Sequence, residues 1–151
     1  DSTFFHSGIP ALINAVHHEV PLTVIILDNR CAAMTGGQPY TGINMEIKKL
    51  IESTGVKNIT EIDSYDMFSF EQSLEKSVCA DKTSVIILKG RCVIHEKTKP
   101  KSIDMKTCDI CGDCLKIRCP SLNIENGTLL INSSCIGCSL CSALCIKDAI
   151  G

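Results

Sequence analysis

Eight of the eleven cysteines lie in two runs near the C-terminus: Cys108-x2-Cys111-x2-Cys114-x4-Cys119-Pro120 and Cys135-x2-Cys138-x2-Cys141-x3-Cys145. Each run sets three thiols at two-residue intervals and one apart, a spacing that suits cubane iron–sulfur clusters. Structural zinc sites favour two separated pairs of ligands instead. Because the repeat is pseudo-symmetric, the remote cysteine of one run is expected to complete the other run's cluster. That expectation groups Cys108, Cys111, Cys114 and Cys145 on one 4Fe-4S cluster, and Cys135, Cys138, Cys141 and Cys119 on a second. The small residues Gly112, Gly137, Ser139 and Ser142 should let backbone amides approach the sulfurs. The x4 gap before Cys119 is one residue longer than the usual x3 spacing.

A chain of 151 residues holds one ordinary domain or two small ones. The net charge of −2 gives no reason to expect nucleic acid or an anionic membrane as partner. The longest apolar run, Leu22 to Leu27, is too short to span a bilayer. No basic segment precedes an apolar stretch, so a reduced cytoplasmic setting with metal-ligating thiolates is expected rather than a disulfide framework. Asp1 stands where Met would begin a complete chain, which reads as part of a longer polypeptide.

Residues 1–92 read as α/β. Leu22–Leu27 and Ser84–Lys89 are β-branched, apolar runs of the kind found in buried parallel strands, and Asn58–Ile62 reads as an edge strand. Helices are expected over Ile9–His17, Met45–Ser53 and Ser69–Cys79, the last with Phe70, Leu74 and Val78 on one face. Residues 93–104, charged and containing Pro100, read as a linker, and 105–151 as a small α+β, bacterial-type two-cluster ferredoxin domain. Within the latter, Leu122–Ile131 should be a hairpin turned by Asn126-Gly127. Cys79 and Cys92 read as buried small apolar residues.

Asp1-Ser2-Thr3 is followed 28 positions after the aspartate by Asn29, directly after an apolar strand. This resembles the thiamine diphosphate motif, in which an aspartate and a later asparagine supply oxygen ligands to a hard cation. Met34-Thr35-Gly36-Gly37-Gln38-Pro39 resembles the Thr-Gly-Gly-Gln loop of the 2-oxoacid:ferredoxin oxidoreductases. Together with Asp1–Ala15, Ile26–Arg30 and the two cysteine runs, these segments resemble the C-terminal part of the alpha subunits of indolepyruvate ferredoxin oxidoreductases. The resemblance covers essentially the whole chain. Cys31 departs from the threonine expected there, and Ser2 from a glycine.

The resemblance implies a partial thiamine diphosphate-binding, parallel-sheet domain followed by the two-cluster domain. It implies Mg2+ on Asp1, Asn29 and the main-chain carbonyl of Cys31. Amides near Ser2 and Thr3 would meet the diphosphate, with Thr35, Gly36, Gly37 and Gln38 lining the cofactor. His6 would face the substrate, although a capping or core role suits it equally. The implied activity is oxidative decarboxylation of an arylpyruvate to acyl-coenzyme A, with electrons passed through the clusters to ferredoxin. A beta subunit and an upstream part of the same subunit, carrying the thiamine-activating glutamate, are the implied partners; the present piece alone should be inactive. A pure electron carrier with an α/β docking module, or the same enzyme class acting on pyruvate or another 2-oxoacid, are the competing readings.

Overall fold

The computed structural model describes residues 1–40, 42, 44–93, 95 and 98–151. The chain divides into two compact units, Asp1–His95 and Glu96–Gly151. Ile94, Glu96 and Lys97, within the expected linker, lie outside the described residues.

In the first unit, β1 (Thr23–Asp28), β2 (Asn58–Asp63) and β3 (Ser84–Lys89) form a parallel sheet in the order β1-β3-β2. Both outer strands pair with β3 in one register, so Asp28 and Asp63 each stand opposite Lys89. Alternation sends Val24, Ile26, Val85 and Ile87 to one face, where they meet Leu12 of α1 (Ile9–His17) and Ile47 and Ile51 of α2 (Ile47–Ser53). Ile62, Ile86 and Leu88 face the other way, under Phe70 and Leu74 of α3 (Met67–Val78). Asp66 caps α3 by accepting a hydrogen bond from Ser69 N at 3.0 Å. Ile86 and Ile87 are fully buried, each stabilising the sheet by about 1.5–3 kcal/mol.

Among the described residues β1 pairs with β3 alone, and its Ile25 and Leu27 are 43% and 63% exposed. Three sequence expectations are corrected here. Val78 does not continue the packed face of α3, and Cys79, which follows it, is exposed. The N-terminal helix also begins earlier, at Ser2, through a π-helical turn over Phe4–Gly8. Gly8 permits that turn, since a Cβ there would lie 2.6 Å from the Phe4 ring.

In the second unit, β4 (Leu122–Glu125) and β5 (Thr128–Ile131) form an antiparallel hairpin. Asn126 and Gly127 both have positive φ, 50° and 74°, as a tight primed turn requires. The expected linker is partly structured within this unit. Ser102–Asp104 pairs with Ala149–Gly151, with Ser102 N donating to Gly151 O at 2.9 Å and Asp104 N to Ala149 O at 2.8 Å. The Thr98 hydroxyl also donates to Ile136 O. The core comprises Cys114, Leu122, Leu129, Cys141 and Ile150. Among the described residues, no helix is long and apolar enough to cross a membrane.

Candidate functional site

The carboxyl edge of β1 gathers the oxygen donors. Asp1 Oδ1 accepts from Ser2 N at 2.6 Å, capping the N-terminal helix, and Asp1 Oδ2 accepts from Arg30 N at 2.8 Å. The main-chain nitrogen of Asp1 donates to Leu27 O at 2.6 Å, which holds the helix start against the strand end. Asn29 Oδ1 accepts from Cys31 N at 3.2 Å, shaping the bend that follows β1. Asp1, Ser2, Thr3, Asn29, Cys31 and Thr35 line one cavity of about 300 Å³. A second, of about 550 Å³, shares Ser2, Thr3 and Thr35 and adds His6, Gln38 and Tyr40. Both fall in the size range of small-molecule sites.

The loop at 32–38 is closed by hydrogen bonds from Ala32 N to Gln38 O (2.9 Å) and Gly37 N to Ala32 O (3.1 Å). Gln38 Nε2 donates to Thr35 Oγ1 at 2.7 Å, orienting the two polar side chains that reach the second cavity. Gly36 and Gly37 line neither cavity. Their positive φ values, 113° and 77°, make the turn, and Gly37 packs against His95. His6 is exposed at the cavity rim.

The donor set fits a hard cation with a diphosphate: a carboxylate, an amide oxygen and a helix start meet at one cavity. Sequence reasoning missed two residues beside it. Among the described residues, buried Asp28 has no hydrogen-bond partner for its Oδ1, and buried Tyr40 none for its hydroxyl. Burial pushes the Tyr40 phenol up, and the Asp28 carboxylate pushes it the same way. The available signal was Asp28 itself, a charge ending an otherwise apolar strand.

The eight cysteines of the two runs collect around two cavities. One is lined by Cys108, Cys111, Cys114 and Cys145, the other by Cys119, Cys135, Cys138 and Cys141. The two runs share a backbone pattern: Ile110 and Gly137, then Gly112 and Ser139, hold positive φ at equivalent positions. The longer first run absorbs its extra residue through Arg118, left-handed at φ 51°, before Cys119. Amides point at sulfur: Gly137 N and Lys101 N donate to Cys135 Sγ at 3.4 Å, and Ala149 N to Cys145 Sγ at 3.3 Å. Burial raises the Cys114 thiol, as do the charges of Cys141, Cys145 and Cys111; burial raises Cys141 likewise. Buried thiols packed this way ionise readily only onto a cation.

Spacing separates a cluster from a single ion. Four thiolates on one zinc lie about 3.8 Å apart, from Zn–S bonds of about 2.3 Å. Among the described residues, the one group of three His, Cys, Asp or Glu with ligand atoms all within 4.8 Å is Cys31, Cys92 and His95. Neither quartet contains such a trio. A hydrogen bond with Cys92 pushes the Cys31 thiol up to about 11, with burial acting in the same direction.

Residues 1–88 match the family model of the thiamine pyrophosphate enzymes' C-terminal TPP binding domain. The chain belongs to the thiamine pyrophosphate enzymes. Its parallel α/β sheet fits that domain, and the cysteine runs lie beyond the matched residues. It is similar along 99% of its length to indolepyruvate oxidoreductase subunit IorA of Methanothermobacter thermautotrophicus (32% identical, 27% of that protein covered). The same subunit of Archaeoglobus fulgidus is 30% identical, again over 99% of this chain and 27% of its own length. That of Thermococcus kodakarensis is 26% identical over 99% of this chain and 26% of its own. These relatives bear out the resemblance to the C-terminal part of the indolepyruvate oxidoreductase alpha subunits. The chain spans about a quarter of the length of the relatives it matches. No solved structure matches it significantly.

Proposed function

We propose that this chain is the cofactor-binding and electron-carrying part of a subunit that oxidatively decarboxylates arylpyruvates such as indolepyruvate. What carries the reading is the combination of a thiamine pyrophosphate-binding domain with two four-cysteine cavities on one chain. Asp1, Asn29 and the Cys31 carbonyl would hold Mg2+, and the helix start at Ser2 and Thr3 would meet the diphosphate. Thiamine diphosphate supplies an electron sink for the carbon that loses CO2. Thr35 and Gln38, fixed to each other, orient polar groups toward that cavity, and Gly36 and Gly37 shape their loop. His6 at the rim is the candidate to face substrate.

Electrons released at this edge would leave singly through 4Fe-4S clusters on Cys108, Cys111, Cys114, Cys145 and on Cys135, Cys138, Cys141, Cys119. Cys114 and Cys141, one from each quartet, belong to the same small core, which favours transfer between the clusters. Ferredoxin would accept the electrons and coenzyme A the acyl group, in the cytoplasm. A beta subunit and the remainder of the alpha subunit, with its thiamine-activating glutamate, complete the enzyme; residues 1–151 alone would not turn over.

The test is the intact complex, assayed without air across several 2-oxoacids with a low-potential acceptor. Asp1→Ala and Asn29→Ala should each abolish Mg2+-dependent thiamine diphosphate binding while leaving the iron content unchanged. An intact wild-type complex with clusters but no affinity for thiamine diphosphate would favour the plain electron carrier. Preference for pyruvate would move the substrate assignment within the same class.

A further inference from the structure

Cys31 and Cys92 are 61 positions apart, yet the sheet places them side by side. β1 and β3 pair in parallel with Asp28 opposite Lys89. Gly90 N continues the pairing, donating to Asp28 O at 3.1 Å. Cys31 and Cys92 each stand three residues past those partners, so the same register carries both to one edge. Both are buried, at 6% and 8% exposure. His95 joins them from one turn further on, and ligand atoms of all three residues lie within 4.8 Å of one another.

We propose that Cys31, Cys92 and His95 form a binding site for a thiophilic divalent cation, Zn2+, behind the cofactor loop. Two thiolates and an imidazole make a Cys2His set, which leaves the fourth tetrahedral position for water. Two sulfurs and a nitrogen on one zinc, at bonds of about 2.3 and 2.0 Å, stand about 3.5–3.8 Å apart, and the three atoms here already lie within 4.8 Å of one another. His95 Nε2 lies 2.8 Å from Gly37 O. Ligating histidines commonly engage a backbone carbonyl through the ring nitrogen that does not bind metal, and here that leaves Nδ1 for the cation. The site is chemically distinct from the oxygen donors of Asp1 and Asn29: thiolates select zinc, while carboxylate and amide oxygens select magnesium. On binding, the two thiols each release a proton and the imidazole binds as the neutral ring.

The consequence is mechanical. His95 packs directly against Gly37, where no Cβ would fit. Metal on His95 therefore ties the 32–38 loop to the ends of β1 and β3.

The test uses the intact subunit with its clusters assembled, prepared without air, given one equivalent of Zn2+ and desalted. Zinc and iron are then counted together. The expected result is about one zinc per chain beside about eight iron, with zinc-edge absorption showing two sulfur neighbours and a nitrogen. Cys31→Ser with Cys92→Ser should lower retained zinc at least tenfold at constant iron. His95→Gln, on an exposed residue that leaves both thiols in place, should weaken zinc retention on the order of tenfold or more. Zinc retained in the double variant would overturn the proposal. So would a wild type holding less than a tenth of an equivalent, or a Cys31–Cys92 disulfide in the air-free protein. None of these readings depends on thiamine diphosphate binding.

Discussion

In Asp1–His95 the interior is mostly aliphatic: Ile26, Val85 and Ile87 meet Leu12, Ile47 and Ile51 across one sheet face beside Phe4, and Ile62, Ile86 and Leu88 fill the other. Among the described residues of Glu96–Gly151 the buried cluster is Leu122, Leu129 and Ile150 beside Cys114 and Cys141, with Cys108, Cys119 and Cys145 packed against it together with Ile103, Leu115, Ile117 and Ile131. The first unit can stabilise itself by removing hydrocarbon from water. The second gives much of its interior to cysteines, and the metal proposed to sit on them would supply stability that so small a core cannot. The comparison teaches where cofactor loss should be felt: as lost activity in one unit and as lost structure in the other.

The largest expected effect comes from stripping iron with a chelator under reducing conditions. Amide hydrogen exchange should then become fast across Leu122–Ile131, while Ser84–Lys89 keeps its protection. Equal protection before and after would erase the distinction between the units. Next, Ile86→Ala should destabilise the first unit by about 2–5 kcal/mol through a cavity at a fully buried position, with iron content unchanged. Denaturant midpoints read by far-ultraviolet dichroism, paired with iron analysis, check both halves of that statement.

A smaller effect sharpens the comparison inside the second unit. Ile110 carries a β-branched side chain at φ 57°, and its counterpart Gly137 stands at φ 67°. Ile110→Gly should raise the stability of the cluster-loaded protein by up to about 1 kcal/mol, because the left-handed conformation no longer crowds a Cβ. Gly137→Ala should instead cost cluster occupancy, since a Cβ there meets Thr98 Oγ1 and Lys99 O. Iron counts and denaturation midpoints of the two variants should move in opposite directions.

The smallest effect concerns the α3 cap. Hydrogen bonds from Ser69 hold the Asp66 carboxyl below its ordinary value of 3.8. A depressed carboxyl stabilises the fold above its unfolded pKa, and that contribution disappears as pH falls through the folded value. Asp66→Asn should keep the cap yet flatten the decline of the first unit's thermal midpoint between about pH 5 and 3.

What could be read from the sequence was local. Three cysteines at two-residue spacing, Asn126-Gly127 between two apolar runs, and the unbroken Ser84–Lys89 segment each carry their structural meaning within ten residues. The grouping of the eight cysteines around two cavities follows the repeat's pseudo-symmetry. What could not be read depends on neighbours supplied by distant chain. Cys92 reads as a small apolar residue until parallel pairing sets it beside Cys31 and His95. The Cys92-x2-His95 spacing was the one local hint of that trio. Tyr40 carries no sequence signal and Asp28 only a charge ending an apolar strand; burial is what marks them.

The central claim is that the cysteine-built interior is an electron path rather than a structural zinc fold. Iron, acid-labile sulfide and zinc counted in air-free protein, with paramagnetic resonance after reduction, test it directly. The account predicts about eight iron and about eight sulfide per chain with two reducible cubane centres. Zinc in both quartets, with no labile sulfide and no resonance on reduction, would contradict it.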